Sequence, residues 1–343
     1  MNDEKLVLVS GVKPTGDLHI GNYFGAMRQF VDLTKEGGYR PFIFVADYHA
    51  LNTMQDAEEM RRRILEVVMA YLAIGLDPED VVFFKQSDVP AHTELAWIFD
   101  TITTMPYLMR AHAFKDAEAK NKEINVGTFN YPMLMAADIL LYDAAIVPVG
   151  ADQKQHIEIA RDTAEKFNRI FSSGGGSASS GQDDIFRLPE PFIMPEVAVV
   201  PGTDGRKMSK SYGNVIPLFA PHDELHACVM SIVTDSYGIK DIVEGKAIIE
   251  ETHLPTNVYA IHKLVRSESE LSAIYESNAG NYKALKEMLV VDLDRYLAPM
   301  RAKYEELKED SGVVEEILAS GKAEARAVSE AKMEQVRKVI GVS

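Results

Sequence analysis

The segment SGVKPTGDLHIGNYFG, residues 10–25, has residue types that suit the binding of a nucleotide phosphate. It lies between a strand-like apolar run and a helix-like one, and it contains four glycines, one proline and His19. Glycines let the backbone approach a flat or charged ligand, and a helix N-terminus presents free N–H groups to anionic oxygen. The spacing fits neither the dinucleotide motif G-x-G-x-x-G nor a Walker loop, and the glycines alone could equally be turn residues.

A second segment, GRKMSKSYGN at residues 205–214, adds the positive charge that a phosphate site needs. Lys207 and Lys210 alternate there with small hydroxyl side chains, and the flanking glycines indicate a flexible loop. His19 and Asn22 on one side and these lysines on the other would hold the phosphates of a nucleotide. Such a site acts by positioning and electrostatic stabilisation while charge moves to departing pyrophosphate, without a protein nucleophile.

Asp138 is a further candidate, because it is a carboxylate inside the apolar helical pattern LMAADILLY at residues 134–142. A buried charge without a partner is costly. This aspartate is therefore either paired within the protein or kept for a ligand, and we favour the ligand.

The elements around these residues alternate between strands and helices as far as about residue 200. Short runs rich in Val, Ile and Phe predict strands at 6–10, 41–47, 81–87 and 144–150. Longer helical patterns lie between and after them, at 21–35, 57–75, 92–104 and 152–170. This alternation predicts an α/β fold with a doubly wound parallel sheet, which binds ligands at the carboxyl ends of its strands.

A mostly helical second domain is predicted from about residue 221. Two prolines in VIPLFAPHDE, residues 215–224, precede a helix start. We therefore expect a catalytic domain at 1–220 and an all-helical domain at 221–343. The Gly/Ser-rich segment 172–184 has too few apolar residues to order itself and is predicted to be a mobile loop.

Composition limits the possible partners and compartment. A net charge of −16 over 343 residues would repel nucleic acid unless a local basic patch exists. Residues 60–68 and 207–211 are candidates for such a patch, although the arginines at 61–63 are better explained as a solvated helix face paired with glutamates. The single cysteine, Cys228, excludes a disulfide framework or a cysteine zinc site within one chain. No signal-peptide or membrane-spanning pattern is visible, so we expect a cytoplasmic protein with no membrane partner.

Several of these segments resemble a known family. HIGN (19–22) and KMSKS (207–211) are similar to the signature sequences of class I aminoacyl-tRNA synthetases. Residues 130–162 and ADYHAL (46–51) resemble tryptophanyl-tRNA synthetases in particular, and the likeness covers most of residues 6–215. It implies a Rossmann-like catalytic domain, a helical anticodon-binding domain, L-tryptophan and tRNA(Trp) as substrates, and a homodimer. It also implies ATP with Mg²⁺, without a metal site on the protein.

The resemblance further implies roles for individual residues. Catalysis is assigned to His19, Asn22, Lys207 and Lys210. ATP binding is assigned to Lys13, Pro14, Thr15, Gly21, Asn22, Gly150, Ala151, Asp152, Val197, Lys207, Met208, Ser209, Lys210 and Ser211. Tryptophan binding is assigned to Val9, Gly11, Ala46, Tyr131, Met135, Asp138, Val147, Val149 and Gln153. In this assignment Asp138 accepts the indole N–H, and Tyr131 with Gln153 holds the α-amino group.

Some positions depart from the usual family pattern. Lys13 stands where glutamine is usual, and Ala151 replaces a common glutamate. Val9 and Ala46 are smaller than expected, and a cavity beside the indole would weaken tryptophan binding. We therefore expect compensation elsewhere in the pocket.

Other interpretations stay open. Helix 92–104, with Trp97 and Phe99 on an apolar surface, is equally a dimer element or plain core. A tyrosyl-type synthetase shares the signatures, but the helix at 134–142 suits a phenol poorly. A catalytically silent protein that binds tryptophan or RNA is a further alternative, against which the intact histidine and lysines argue. His49 and His156 match family positions, and the sequence assigns neither a chemical role.

Overall fold

The first part of the molecule is built on one five-stranded sheet whose strand pairs are all parallel. The computed structural model describes residues 5–14, 16–111, 114, 115, 118, 124–150, 153–171, 184–193, 199–234 and 256–342. The strands are β1 (Leu6–Val12), β2 (Tyr39–Val45), β3 (Val82–Lys85), β4 (Ile146–Val149) and β5 (Glu190–Ile193). Their spatial order is β3-β2-β1-β4-β5. Connections leave β1 in opposite directions, so the crevice beyond the carboxyl ends of β1 and β4 is the expected ligand site.

Helices cover both faces of this sheet. The first, α1, is continuous through Ile20–Asn22, a π-helical turn at Tyr23–Met27, and Arg28–Lys35. Next come α2 (Asp47–Ala50), α3 (Ala57–Ala73), α4 (Ala91–Ile102), α5 (Met105–Leu108), α6 (Val126–Leu140) and α7 (Lys154–Phe171). The later helices are α8 (His222–Met230), α9 (Thr256–His262), α10 (Glu268–Ser277), α11 (Tyr282–Glu309) and α12 (Ser311–Ile340). The doubly wound fold with a helical C-terminal part is thereby confirmed.

Strand β5 is an element that the sequence analysis did not include. It is four residues long and contains Pro191, which has no N–H for a strand ladder. As the edge strand it needs only one partner, β4, and it pairs from Ile146↔Glu190 to Val149↔Ile193.

Alternate residues of the inner strands face two separate apolar layers. Leu8 and Ile43 belong to a layer with α1, α3, α8, α9 and α11. Val9 and Phe42 belong to a layer on the other face, with α4, α6 and α7. Because both faces are covered, these strands are continuous apolar runs rather than alternating ones.

The last helix, α12, packs across the exposed side of the edge strand β3. A Cβ atom at Gly321 would lie 2.0 Å from the backbone oxygen of Phe83, so only glycine allows this approach. The start of α12 contributes Val314 to the first apolar layer, and its later part contributes Met333 to the second. One helix therefore covers the free edge and joins both layers.

The division of the chain into a catalytic domain at 1–220 and an all-helical domain at 221–343 stays a prediction.

Two of the arginines at 61–63 pair with acidic side chains. Arg62 pairs with Glu59 and with Glu66, and Arg63 pairs with the same glutamates and with Asp17. The explanation of these arginines as a helix face paired with acidic side chains therefore holds for Arg62 and Arg63.

Some sequence features lie beyond what the structure covers. Residues 172–183 of the Gly/Ser-rich segment are outside the described residues. Within the described part of the chain, no helix has the length and apolar character needed to cross a membrane.

Candidate active site

His19 occupies the N-terminal cap of α1, and its imidazole is buried. Its backbone N–H donates to Oδ1 of Asn22 at 3.1 Å, so Asn22 stabilises the start of the helix. The ring nitrogen Nδ1 has no hydrogen-bond partner among the described residues. Burial, followed by the positive charge of Lys210, lowers the pKa of His19 to about 4. His19 is therefore a neutral hydrogen-bonding group at physiological pH.

The two signature segments, far apart in sequence, are in contact. The backbone N–H of Ile20 donates to the carbonyl of Ile216 at 3.0 Å. A Cβ atom at Gly21 would lie 2.9 Å from Nδ1 of His19 and 3.2 Å from Cβ of Met208. Glycine is needed here because the loop of the second segment approaches the start of α1 this closely.

The loop that carries the lysines is braced by one buried side chain. Oδ1 of Asn214 accepts the backbone N–H of Ser209 at 2.8 Å, and Nδ2 donates to Oδ1 of Asp204 at 2.6 Å. The same Nδ2 donates to the carbonyl of Lys207 at 3.2 Å. These bonds hold the loop together as one unit on which both lysines are placed.

Lys207 and Lys210 face different cavities. Lys207 lines a cavity of about 860 Å³, whereas Lys210 lines a neighbouring one of about 580 Å³ together with Asp17 and Glu66. Its Nζ lies 2.9 Å from the position of a Cβ on Gly16. Burial lowers the pKa of Lys210, and the negative charge of Asp17 opposes that effect. Lys210 thus reaches the opening loop without lining the larger cavity.

The larger cavity lies at the carboxyl ends of β1 and β4, where the sheet topology predicts a ligand. Most of the residues assigned to ATP that the structure describes line it: Lys13, Gly21, Asn22, Gly150, Lys207, Met208 and Ser209. His19 lines it as well. Pro14 is buried beside it, and the exposed Ser211 contacts Ser209 through its hydroxyl at 2.9 Å.

The residues assigned to tryptophan lie deeper, next to this cavity. Gly11 and Val149 line it. Four others are buried. Val9, Ala46 and Val147 belong to the second apolar layer, and Asp138 is a buried polar residue. Tyr131, Met135 and Gln153 are half-buried. The positions assigned to ATP therefore lie mostly at an open cavity, and most of those assigned to tryptophan lie in more buried surroundings.

Phe44 fills the space beside the small residues of this inner side. A Cβ atom at Gly11 would lie 2.7 Å from Cζ of its ring. Phe44 belongs to the same apolar layer as Val9 and Ala46. The compensation expected for those two small side chains stays a prediction, for which the ring of Phe44 is the candidate.

Both carboxylate oxygens of Asp138 have partners within the protein. Oδ1 lies 2.7 Å from Nε2 of Gln86 and 2.7 Å from Nδ1 of His92, and Oδ2 lies 2.8 Å from Nε2 of His49. Burial opposes ionisation, but hydrogen bonds from His49 and then His92 outweigh it and hold the pKa of Asp138 at about 2. The pairing alternative therefore holds in part, and any ligand would share the carboxylate with these three side chains.

Gln86 and His92 were not among the residues chosen from the sequence. Gln86 directly follows β3, and a polar residue at the carboxyl end of a parallel strand is a usable signal. His92 lies in the first turn of α4 without any such mark. The two histidines to which the sequence assigned no role also have partners. His49 is hydrogen-bonded to Asp138, and Nε2 of His156 is hydrogen-bonded to the hydroxyl of Tyr131.

A sequence model of the tRNA synthetases class I (W and Y) matches residues 1–298. The chain belongs to this family. It is 42% identical over 338 residues to the tryptophan–tRNA ligase of Fusobacterium nucleatum, with 97% of each chain covered. It is also 42% identical to the tryptophan–tRNA ligase of Campylobacter jejuni, with 98% of this chain and 99% of the other covered.

Solved structures of class I synthetases have the same fold. The tryptophanyl-tRNA synthetase from Campylobacter jejuni, complexed with ADP and tryptophan, superimposes with a TM-score of 0.85 at 41% identity. That comparison covers 98% of this chain and 100% of the other. The tyrosyl-tRNA synthetase from Archaeoglobus fulgidus matches at a TM-score of 0.62 and 20% identity, which shows the fold alone.

Four positions assigned to ATP in this class I synthetase lie outside the described residues: Thr15, Ala151, Asp152 and Val197. Their roles stay predictions.

Proposed function

We propose that this chain is a tryptophan–tRNA ligase, which activates L-tryptophan with ATP and transfers it to tRNA(Trp). The proposal rests on its likeness, over nearly the full length, to relatives with that name at 42% identity. The buried carboxylate of Asp138 supports it, because an indole N–H needs one acceptor in apolar surroundings.

In the first step the tryptophan carboxylate attacks the α-phosphorus of ATP, and pyrophosphate leaves. His19 donates a hydrogen bond as a neutral imidazole, and Lys207 supplies charge from the other wall of the cavity. Asn22 keeps the start of α1 in place through its bond to the backbone of His19. The protein contributes positioning and electrostatic stabilisation rather than a nucleophile.

Mg²⁺ bound to the nucleotide would supply neutralisation of phosphate charge at this site. The described residues include no group of three or more His, Cys, Asp or Glu side chains that could hold a metal. The described polar side chains that line the cavity include two lysines, an imidazole, an amide and hydroxyls, with no carboxylate among them, and this set suits phosphate oxygens rather than a cation.

Lys210 joins the reaction when the loop at 205–214 closes. Its ammonium already lies beside Gly16, in the opening segment that also carries His19. Closure moves Lys210 away from Asp17 and Glu66 and towards the departing phosphates.

In the second step, in the cytoplasm, a hydroxyl of the terminal ribose of the tRNA attacks the carbonyl carbon of tryptophanyl adenylate, the acyl–phosphate bond breaks, and AMP leaves. The C-terminal helices contact the anticodon, and two copies of the chain form a homodimer. Trp97 and Met105, which are 70% and 66% exposed, mark an apolar surface on α4 and α5 for the second copy. Phe99, by contrast, is core and has no exposed surface.

Pyrophosphate exchange with each of the twenty amino acids tests the proposal. Exchange with tryptophan alone is the expected result. Exchange with tyrosine would favour a tyrosyl-type synthetase, and no exchange at all would favour a catalytically silent binding protein. Charging of a tRNA(Trp) transcript then tests the second step.

A further inference from the structure

The hydrogen bonds of Asp138 continue to a buried histidine and a buried tyrosine. Nδ1 of His92 lies 2.7 Å from Oδ1 of Asp138, and Nε2 of the same ring lies 2.9 Å from the hydroxyl of Tyr142. His92 has no exposed surface, and Tyr142 is 2% exposed. The ring of His92 lies among those of Phe44, Phe84 and Tyr142, at centroid distances of 5.7, 6.1 and 5.6 Å.

These contacts fix the tautomer of His92. An ionised carboxylate can only accept, so Nδ1 of His92 carries the proton that binds Asp138. Burial, and then the negative charge of Asp138, raises the pKa of Tyr142 well above its usual value, so its hydroxyl keeps its proton. That hydroxyl is hydrogen-bonded to Nε2 of His92, so both ring nitrogens of His92 have partners and the ring is held in place.

The two oxygens of Asp138 consequently have different tasks. A carboxylate has about four lone-pair sites, two on each oxygen. Oδ1 accepts from both Gln86 and His92, which leaves it no further capacity. Oδ2 accepts only from His49 among the described residues, and one site remains on it.

Oδ2 lies on the side of the predicted amino-acid pocket. The ring of His49 meets that of Tyr131 edge-on, with centroids 6.2 Å apart. Tyr131 is half-buried and belongs to the residues assigned to the substrate. Tyr131, Met135 and Asp138 stand at i, i+4 and i+7 of α6 and share one face of that helix, so Oδ2, through His49, is the oxygen next to the residues assigned to the substrate.

We propose that Tyr142 and His92 are positioning residues that orient Asp138, so that Oδ2 faces the substrate and discriminates in favour of an aromatic ring with an N–H donor. This inference rests on the proposed recognition of tryptophan and identifies what sets its selectivity. A ring that has no N–H at this point leaves a buried acceptor unpaired, and such sites reject the wrong substrate strongly.

The matching experiment compares tryptophan with benzothienylalanine, in which sulfur replaces the indole N–H in a ring of nearly the same size. The ratio of kcat/KM for the two amino acids is measured by pyrophosphate exchange for the wild type, Tyr142→Phe, His92→Ala and His92→Gln. Tyr142→Phe should lower the ratio about fivefold, the worth of about one hydrogen bond, through a higher KM for tryptophan with the KM for ATP unchanged. His92→Ala should lower the ratio further, and His92→Gln, which keeps a donor for Oδ1, should restore part of it.

The chain offers a matched control. In the helical part, Tyr275 lies 3.2 Å from Nδ1 of His262, whose Nε2 lies 2.8 Å from Asp292, and this tyrosine is likewise buried. Tyr275→Phe removes an equivalent hydroxyl far from the substrate and should leave the ratio unchanged.

Two outcomes distinguish the inference from the function on which it rests. If Tyr142→Phe and His92→Ala reduce exchange equally with both amino acids, the positioning role is wrong. If Asp138→Asn also leaves the ratio unchanged, the assignment of Asp138 as the substrate's acceptor is wrong as well.

Discussion

His19 shows how burial decides what a single residue contributes. Its pKa in the folded chain is about 4, against 6.5 for an ordinary histidine. The unfolded chain therefore takes up a proton at His19 as the pH falls through 6.5, whereas the folded chain takes it up only near 4. His19 thus lowers stability progressively across that interval on the acid side.

We predict that His19→Asn reduces the slope of unfolding free energy against pH between these two values. The reduction should amount to at most about one bound proton. Urea unfolding at several pH values across the interval, for the variant and the wild type, measures it. Identical slopes would mean that His19 titrates normally in the folded protein.

Lys210 lies apart from the nucleotide side in this structure, and its catalytic task requires movement. Lys210→Ala should slow tryptophanyl-adenylate formation about 100-fold, the usual effect of removing one group that stabilises transition-state charge. Tryptophan binding should change much less, because the role proposed for Lys210 is at the phosphates rather than at the amino acid. Single-turnover activation and equilibrium binding of tryptophan measure the two effects separately.

Lys308 provides the matched control for Lys210. It lines the same smaller cavity from α11, and its Nζ pairs with Glu305. Lys308→Ala should leave activation unchanged. Unaltered activation in Lys210→Ala would rule out the role of this lysine in the clamp.

The residues found from sequence share one property, which is that their chemistry depends on near neighbours. His19, Asn22 and the glycines act within one loop, and a reader of the sequence can place them at the end of β1. Gln86 and His92 acquire their role only through Asp138, which lies far along the chain on α6. No local pattern reports such a contact.

At the scale of elements, α12 and β3 approach each other through one glycine. Gly321→Ala should lower the free energy of unfolding by about 1–3 kcal/mol, because its Cβ would strike the backbone of Phe83 and the helix would have to shift. Denaturant unfolding monitored by circular dichroism measures this change.

Gly312 gives the comparison within the same helix. A Cβ there would meet only a side-chain oxygen of Asp310, at 3.2 Å. Gly312→Ala should therefore stay within about 1 kcal/mol of the wild type, in the stabilising direction that helix propensity gives. Equal destabilisation by both substitutions would contradict the close approach at Gly321.

Element positions followed from the sequence where periodicity was strong. The prediction of helix 57–75 agrees closely with α3 at Ala57–Ala73, and that of 6–10 lies within β1. Strand β5 was missed because tertiary pairing with β4, rather than local propensity, makes EPFI a strand. The contact of α12 with β3 could not be predicted either, because the sequence of an amphipathic helix shows which face is apolar but not which surface that face packs against.

At the scale of the whole molecule, the exposed apolar surface on α4 and α5 predicts self-association. Trp97→Glu should weaken the dimer at least about 30-fold, since a central aromatic side chain often contributes about 2 kcal/mol or more to an interface. Sedimentation velocity over a range of concentrations measures the dissociation constant.

The exposure of Trp97 makes the experiment clear to interpret. Its side chain is 70% exposed in the single chain, so the substitution should not disturb folding. An unchanged sedimentation profile would show that this surface is not where two copies meet.

The placement of α12 also has a consequence for biosynthesis. All five strands precede it in the chain, so they leave the ribosome before the helix that covers β3 exists. Until α12 has been synthesised, the nascent polypeptide exposes the unpaired edge of β3, which favours association with other chains. A chain that terminates before Gly321 would keep the edge of β3 uncovered. The 30-residue helix α12 therefore protects the folded enzyme from association through that edge.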